Sequence, residues 1–398
     1  MLNQQGVAMP VVNRIAAFHD VMREWRRDIH RHPELAYEEH RTASVVAERL
    51  REFGLDEVAE GIGKTGVVGV IHNGDGPAIG LRADMDALPI TEETGLSYQS
   101  TKDGLMHACG HDGHTAMLLG AARYLSENRN FAGTVVFVFQ PAEEGFAGAK
   151  AMIDDGLFER YPVDSIYGVH NMPGLPTGTI ALSPGPVMAA ADEFRVTVQG
   201  KGGHGAMPHM ATDPVPAAAA MISALQGIVS RNADPSATLV ISVTTLHAGD
   251  AFNVIPDTVE FGGTVRHFDS AVGEMAERRM REVLEGVAAA HGAGVAFSYR
   301  KGYPPTCNHD AETAFAREVA ANVLGAEAPA QPPVMGSEDF SFFLEEKPGA
   351  YAFVGNGDGP ACVTVHNPHY DFNDEILPVG ASFFARLVET ALPRNPAA

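Results

Sequence analysis

The stretch Ala78-Ile79-Gly80-Leu81-Arg82-Ala83-Asp84-Met85-Asp86-Ala87-Leu88-Pro89 decides the architecture. Its first half is a short apolar run without polar alternation, as a strand buried on both faces requires. Two aspartates follow at once, before Leu88-Pro89. Similar runs of strand length cover Gly66 to His72, Thr134 to Gln140 and Asp164 to His170. A helical stretch rich in Ala, Leu and Met, roughly His114 to Asn128, comes before the Thr134 run, and another, Gly148 to Gly156, comes after it. Strands alternating with helices in this order predict an α/β domain built on a mostly parallel sheet.

Upstream, Phe18, Val21, Met22, Trp25 and Ile29 recur at helical spacing and predict an amphipathic helix ending before Pro33. A second helix follows over Thr42, Val45, Val46, Leu50 and Phe53, with Gly54 to close it. The first ten residues lack periodicity and predict no element. Downstream the character changes near residue 190. Glu193 to Gly200 alternates polar and apolar residues. A helix from Asp213 to Arg231, strands at Thr238–Leu246 and Thr258–Phe268, a charged helix from Gly273 to His291 and a strand at Val295–Lys301 complete a β-α-β-β-α-β series. That series is the ferredoxin-like arrangement. From Pro304 the α/β character returns, with a helix at Ala311–Leu324, strands at Tyr351–Val354 and Cys362–Val365, and a helix at Gly380–Ala391 before a Pro-rich tail. The expected organisation is a discontinuous α/β domain (residues 1–189 and 304–398) with a small α+β domain, 190–303, inserted in it.

Composition narrows the function. With 398 residues the chain exceeds what one hydrophobic core organises, and 45% hydrophobic with 20% charged residues is ordinary globular content. Lys and Arg number 28 against 50 Asp and Glu, a net charge of −22 that argues against a nucleic-acid partner. No apolar run approaches the roughly 18 residues of a membrane span, and no signal-peptide pattern opens the chain. Three cysteines, Cys109, Cys307 and Cys362, are too few and too odd in number for a disulfide framework. A cytoplasmic protein is expected.

Ligand sites in open α/β sheets lie outside the carboxyl ends of the strands. Here Ala78–Ala83 runs into Asp84-Met85-Asp86, Thr134–Gln140 into Pro141-Ala142-Glu143-Glu144, and Asp164–Val169 into His170. Cys109-Gly110-His111-Asp112 precedes a helix, and Cys362–Val365 delivers His366. Taken singly, each group has a plain structural reading. Cys109 would be a small buried hydrophobe, Glu143-Glu144 a solvated helix start, and His170 or His366 a hydrogen-bonded histidine. Together they supply a thiolate, three imidazoles and carboxylates, a donor set suited to Zn²⁺ or another borderline first-row divalent ion. Glu143 and Glu144 are adjacent, so their side chains diverge. One can bind metal while the other serves as a base, a pairing that suits metal-assisted amide hydrolysis.

These residues resemble the M20 metallopeptidase family, most closely its amidohydrolase branch of hippurate hydrolases, N-acyl-amino-acid deacylases and auxin-conjugate hydrolases. The matching segments are Arg82 to Pro89, Met106 to Asp112, Gln140 to Glu144, Gly202 to His209, Asn253 to Pro256, Gly336 to Phe340 and the late His366. The resemblance implies a zinc-exopeptidase-like catalytic domain with an inserted lid and dimerisation domain. It implies Cys109, His111, Glu144, His170 and His366 as ligands of two divalent ions (Mn or Zn, with Ni or Co as alternatives), and Glu143 as general base and acid. Asp86 stands where the family has an aspartate that orients a metal-binding histidine. Asp84 stands where much of the wider family has a histidine, a departure typical of the amidohydrolase branch. His204 is implied as an oxyanion donor, within one chain or across a dimer or dimer of dimers paired through the inserted domain. Asn253 and Arg266 are expected to hold a substrate carboxylate, and Glu338 to line the pocket. The expected substrate is a small N-acyl or N-aroyl amino acid. Two rivals remain, a dipeptidase or carboxypeptidase on the same fold and a non-catalytic metal-dependent binding protein.

Overall fold

Val135 to Phe139 are all buried, and so are Ile79 to Asp84 on the adjacent strand. Burial on both faces is the condition of a strand in mid-sheet with helices packed above and below. The computed structural model describes residues 11–359 and 362–394; the first ten residues, for which no element was expected, lie outside that range, as does the end of the Pro-rich tail. Seven strands form one sheet in the order Glu57–Ile62, Gly66–Asn73, Gly133–Gln140, Ala78–Asp84, Ser165–Pro173, Gly349–Gly357 and Ile180–Ala181. The four central strands are parallel to one another, and the flanking pairs are antiparallel. The α/β class with a parallel centre is thus the one the apolar runs predicted. Glu57–Ile62 escaped the sequence reading because only Ile62 in it is buried.

Helix His111–Glu127 is buried from His111 through Ala122, and again at Tyr124 and Leu125. A helix buried on every side belongs in a core rather than on a surface. It packs with His19–Arg31, which buries Met22, Trp25 and Ile29, and with Leu377–Ala391, which buries Phe383, Phe384, Leu387 and Val388. The strand expected at Cys362–Val365 does not form. Residues 362–364 are irregular, and Val365 and His366 lie in a turn. A four-residue run with no partner strand has no ladder to join, and the His366 N–H instead donates to the Ala108 carbonyl over 2.7 Å.

The chain divides into two compact units. The larger comprises Met1–Val187, Cys307–Pro332 and Asp339–Ala398, and the smaller Met188–Thr306 with Pro333–Glu338. In the smaller unit four antiparallel strands lie in the order Leu239–Ala248, Thr258–His267, Ala191–Gln199, Gly294–Tyr303. Helices Pro214–Arg231 and Ser270–His291 bury Met221, Leu225, Met280 and Leu284 against that sheet. Both helices start on an aspartate cap. Asp213 accepts from the Val215 N–H with Pro214 at the first helical position, and Asp269 accepts from the Ala271 N–H. This is the ferredoxin-like order.

Candidate metal centre

Parallel register brings the strand ends side by side. Asp84 pairs with Gln140 on one neighbour, and Arg82 with Gly168 on the other. The segments that follow these strands therefore leave from one edge of the sheet. After Gln140 the chain bends sharply, with positive φ at Ala142, Gly145 and Ala147. Glu143–Phe146 is consequently a single distorted turn, with Glu144 itself outside helical geometry. Non-glycine residues held at positive φ carry strain that the surroundings must enforce. Here the enforcement is visible, since the Ala142 N–H donates to buried Glu39 over 2.8 Å.

Gly110 starts the long core helix at φ 91, a conformation that suits glycine. A methyl group there would lie 2.4 Å from Asn171 Nδ2 and 2.7 Å from the Tyr370 hydroxyl. This turn points Cys109 and His111 at a common region. Cys109 Sγ is 3.4 Å from His170 Nε2, and His366 Nε2 is 3.1 Å from Glu144 Oε1. Ligand-type atoms fall into two triads, Cys109 with His111 and His170, and Cys109 with Glu144 and His366, each within 4.8 Å. A third group joins His111, Glu143 and Glu144. All six residues expected from the sequence as ligands or base are thus brought together in the larger unit, and Cys109 is common to both triads.

Asp86 ties the set from beneath. His111 Nδ1 lies 2.9 Å from the Asp86 carbonyl and 3.1 Å from its Oδ1, while Oδ2 accepts from the Glu144 N–H over 2.9 Å. With Nδ1 donating, His111 Nε2 is the nitrogen that can offer a lone pair to a cation once its proton is displaced. Among the described residues, buried His111 Nε2 has no hydrogen-bond partner, and Glu144 Oε1 faces His366 at 3.1 Å. An unsatisfied buried polar atom costs about 1–3 kcal/mol, so one among these ligand-type side chains calls for an occupant. A thiolate, imidazoles and a carboxylate fit first-row divalent cations, with Cys109, His111, His170, Glu144 and His366 to hold them.

Charge follows the same geometry. Burial pushes the Cys109 thiol up, and neighbouring Glu144 adds to this. Hydrogen bonding to Cys109 and then to Glu144 pushes His366 up to about 10. Burial holds His170 well below its ordinary value. Burial also opposes a charge on His111, but Asp84 and Cys109 outweigh it and raise that imidazole well above the usual range. The metal-free cluster therefore holds protons that a cation would displace.

Sequence reasoning passed over two buried residues here, His114 and Asn171, and expected Asp339 only within a pocket-lining segment. His114 follows His111 by one helical turn, so the spacing was available as a signal. Asp339 accepts from Gln140 Nε2 at 2.8 and 2.9 Å, from the Ala149 N–H at 2.9 Å and from Arg82 at 3.2 Å; its own N–H donates to Glu143 Oε1 over 3.4 Å. No local pattern announces a partner 196 positions away.

The remaining expected residues lie in the smaller unit. His204 is exposed on the two-residue strand Gly203–His204, which pairs with Val254–Ile255. The Asn253 carbonyl accepts from the Gly205 N–H over 2.8 Å, so His204 and Asn253 are neighbours. Arg266 is half-buried on Thr258–His267 opposite Val240, and burial lowers its guanidinium pKa against the pull of Asp192 and Glu193. Glu338 ends the Pro333–Glu338 segment, its carbonyl accepting from the Thr306 hydroxyl over 3.2 Å.

Thiolate, imidazole and carboxylate donors at the carboxyl edge of a parallel sheet, with one more buried carboxylate beside them, define a metal-dependent α/β hydrolase. The chain belongs to peptidase family M20/M25/M40, whose model matches residues 80–390. A hippurate hydrolase of Campylobacter jejuni is 46% identical over 365 residues, covering 91% of this chain and 94% of its own. An N-acetylcysteine deacetylase of Bacillus subtilis is 40% identical over 378 residues, 94% of this chain and 98% of that one. A Bacillus subtilis crystal structure described as a dinuclear metal-binding peptidase of the M20 family superposes with a TM-score of 0.83 at 38% identity, covering 95% of this chain and 99% of the other. The hippurate hydrolase and the deacetylase belong to the amidohydrolase branch expected from the motifs. Among the described residues no helix is long and apolar enough to cross a membrane.

Proposed function

We propose that the protein hydrolyses the amide bond of N-acyl or N-aroyl amino acids, releasing a carboxylic acid and a free amino acid. The observation that carries this reading is that Glu143 and Glu144, whose carboxylates meet beside His111, have different further partners. Glu144 groups with Cys109 and His366, while buried Glu143 shares its carboxylate region with His111 and the Asp339 N–H. Two divalent cations in this cradle, Mn or Zn first among them, would supply Lewis acidity that polarises the amide carbonyl and lowers a water's pKa to about 7. Glu143 accepts the proton of the attacking water and hands it to the departing nitrogen. Asp86 keeps His111 in the tautomer whose Nε2 faces outward. His204 donates to the oxygen of the scissile carbonyl as negative charge grows there. Asn253 and Arg266 hold the substrate carboxylate, Arg266 by a bidentate pair, and Glu338 lines the pocket. We assign the working form to a cytoplasmic homodimer, or a dimer of such dimers, paired through the smaller unit.

The test combines metal content with turnover of N-benzoylglycine and N-acetylated amino acids on one preparation. About two divalent ions per chain are expected, with turnover lost on chelation and restored by Mn²⁺ or Zn²⁺. Glu143→Ala should retain metal and lose nearly all turnover, and an active variant would remove Glu143 from its role. A relative described as a peptidase favours a second reading, cleavage of unblocked dipeptides. Comparing one dipeptide with its N-acylated analogue separates the two, because a free α-amino group needs an acidic pocket to receive it.

A further inference from the structure

Both ring nitrogens of buried His114 are committed. Nδ1 lies 2.6 Å from Asp84 Oδ1, and the Asn171 N–H donates to Nε2 over 2.9 Å. A carboxylate only accepts and an amide N–H only donates, so the ring is neutral with its proton on Nδ1. Arg82 holds Asp84 in turn, Nη1 to Oδ2 at 2.8 Å. Asn171 extends the path in the other direction, donating from Nδ2 to the Cys109 carbonyl over 2.6 Å and accepting from the Tyr370 hydroxyl. A continuous line of buried hydrogen bonds thus runs from Arg82 through Asp84, His114 and Asn171 to the backbone of Cys109. The His114 ring also packs against two candidate ligands, with centroids 4.7 Å from His170 at 63° and 5.5 Å from His111 at 33°.

We propose that His114 is a positioning residue rather than a ligand: locked by Asp84 and Asn171, it sets the Cys109 thiolate and the His170 imidazole in register for metal. Its atoms lie close enough to Asp84 and His111 to resemble a further metal triad. Neither ring nitrogen, however, keeps a lone pair to give. Each Asp84 oxygen likewise has a donor, Arg82 on Oδ2 and His114 on Oδ1. The proposal rests on reading the cluster as a metal centre, and its test separates the two.

The experiment titrates the metal-free protein with Co²⁺, following thiolate-to-cobalt charge-transfer absorption and the affinity by chelator competition. His114→Phe keeps a ring in place and removes both hydrogen bonds. It should weaken binding about 10–100-fold, the usual effect of losing a group that orients a ligand, and shift the charge-transfer band, with the number of ions at saturation unchanged. His114→Gln, whose amide both donates and accepts, should recover most of the affinity. Asn171→Asp, isosteric but without the donor to the Cys109 carbonyl, should weaken binding in the same way and serves should His114→Phe fail to fold. Wild-type affinity and an unchanged band in these variants would overturn the proposal. So would loss of one cobalt equivalent with the band intact, since His114 would then be a ligand. A wild-type chain that binds no cobalt would overturn the metal-centre reading itself.

Discussion

Asp86 grips His111 twice, its carbonyl 2.9 Å and its carboxylate 3.1 Å from the same imidazole nitrogen. The second carboxylate oxygen takes the Glu144 N–H, so one side chain orients two candidate ligands. Asp86→Ala should therefore lower divalent-metal affinity about 10–100-fold and lower kcat at saturating metal. Chelator competition measures the first effect and steady-state kinetics the second. Unchanged affinity would mean that His111 needs no such anchor.

Gly110→Ala tests the turn that presents Cys109. The left-handed φ alone costs a non-glycine residue about 1–3 kcal/mol, and the new methyl would in addition overlap Asn171 and Tyr370. Gly145 is the control, because at φ 83 a methyl there meets nothing within 4 Å. The expected order in thermal melts is wild type, then Gly145→Ala, then Gly110→Ala. Equal losses for the two variants would rule out the overlap at Gly110 as a factor.

In the smaller unit Asp192 accepts from the Tyr299 hydroxyl at 2.7 Å, the Gly302 N–H at 3.0 Å and His267 Nε2 at 3.3 Å. Burial works to raise its pKa, but His267, Tyr299 and Gly302 together outweigh that and hold the carboxyl below its ordinary value. A carboxyl depressed in the folded state stabilises the fold above its unfolded value near 4, and that contribution fades as pH falls through the folded value. Asp192→Asn should cost about 1–3 kcal/mol at neutral pH. The gap in Tm between wild type and variant should narrow from pH 5 to pH 3. A gap constant over that range would show that the charge on Asp192 contributes nothing.

Chelation should lower Tm, because ligand held only by the folded chain adds stability, about 2.7 kcal/mol at a free concentration of 100 times Kd. Cys109→Ala should abolish most of that shift, since both candidate triads contain Cys109. Metal affinity should also rise with pH, because His366 and Cys109 must lose protons to bind. Calorimetry in two buffers of different ionisation enthalpy would count those protons, and a release of none would contradict the charge arrangement described above.

Much of this was legible in the chain. Period-free apolar runs such as Thr134–Gln140 read as buried strands, and those ending at Ala83, Gln140 and Val169 were followed within a few residues by a group able to bind metal. His366 was anticipated as a residue but not in its setting. It was expected at the end of a strand and sits at φ 61 in a turn secured to Ala108. A four-residue run carries no record of whether a neighbouring strand will be there to pair with it.

Sequence alone determined the fold class, the β-α-β-β-α-β insertion and the roster of candidate ligands, because periodicity and strand-end chemistry are local properties of the chain. Only the tertiary structure decided that Cys109 stands in both triads, that Asp84 and His114 are occupied with each other, and that Asp339 reaches Glu143. The last two relations join residues 30 and 196 positions apart. They exist only once parallel register has aligned the strand ends and left-handed turns at Gly110 and Ala142 have aimed the side chains.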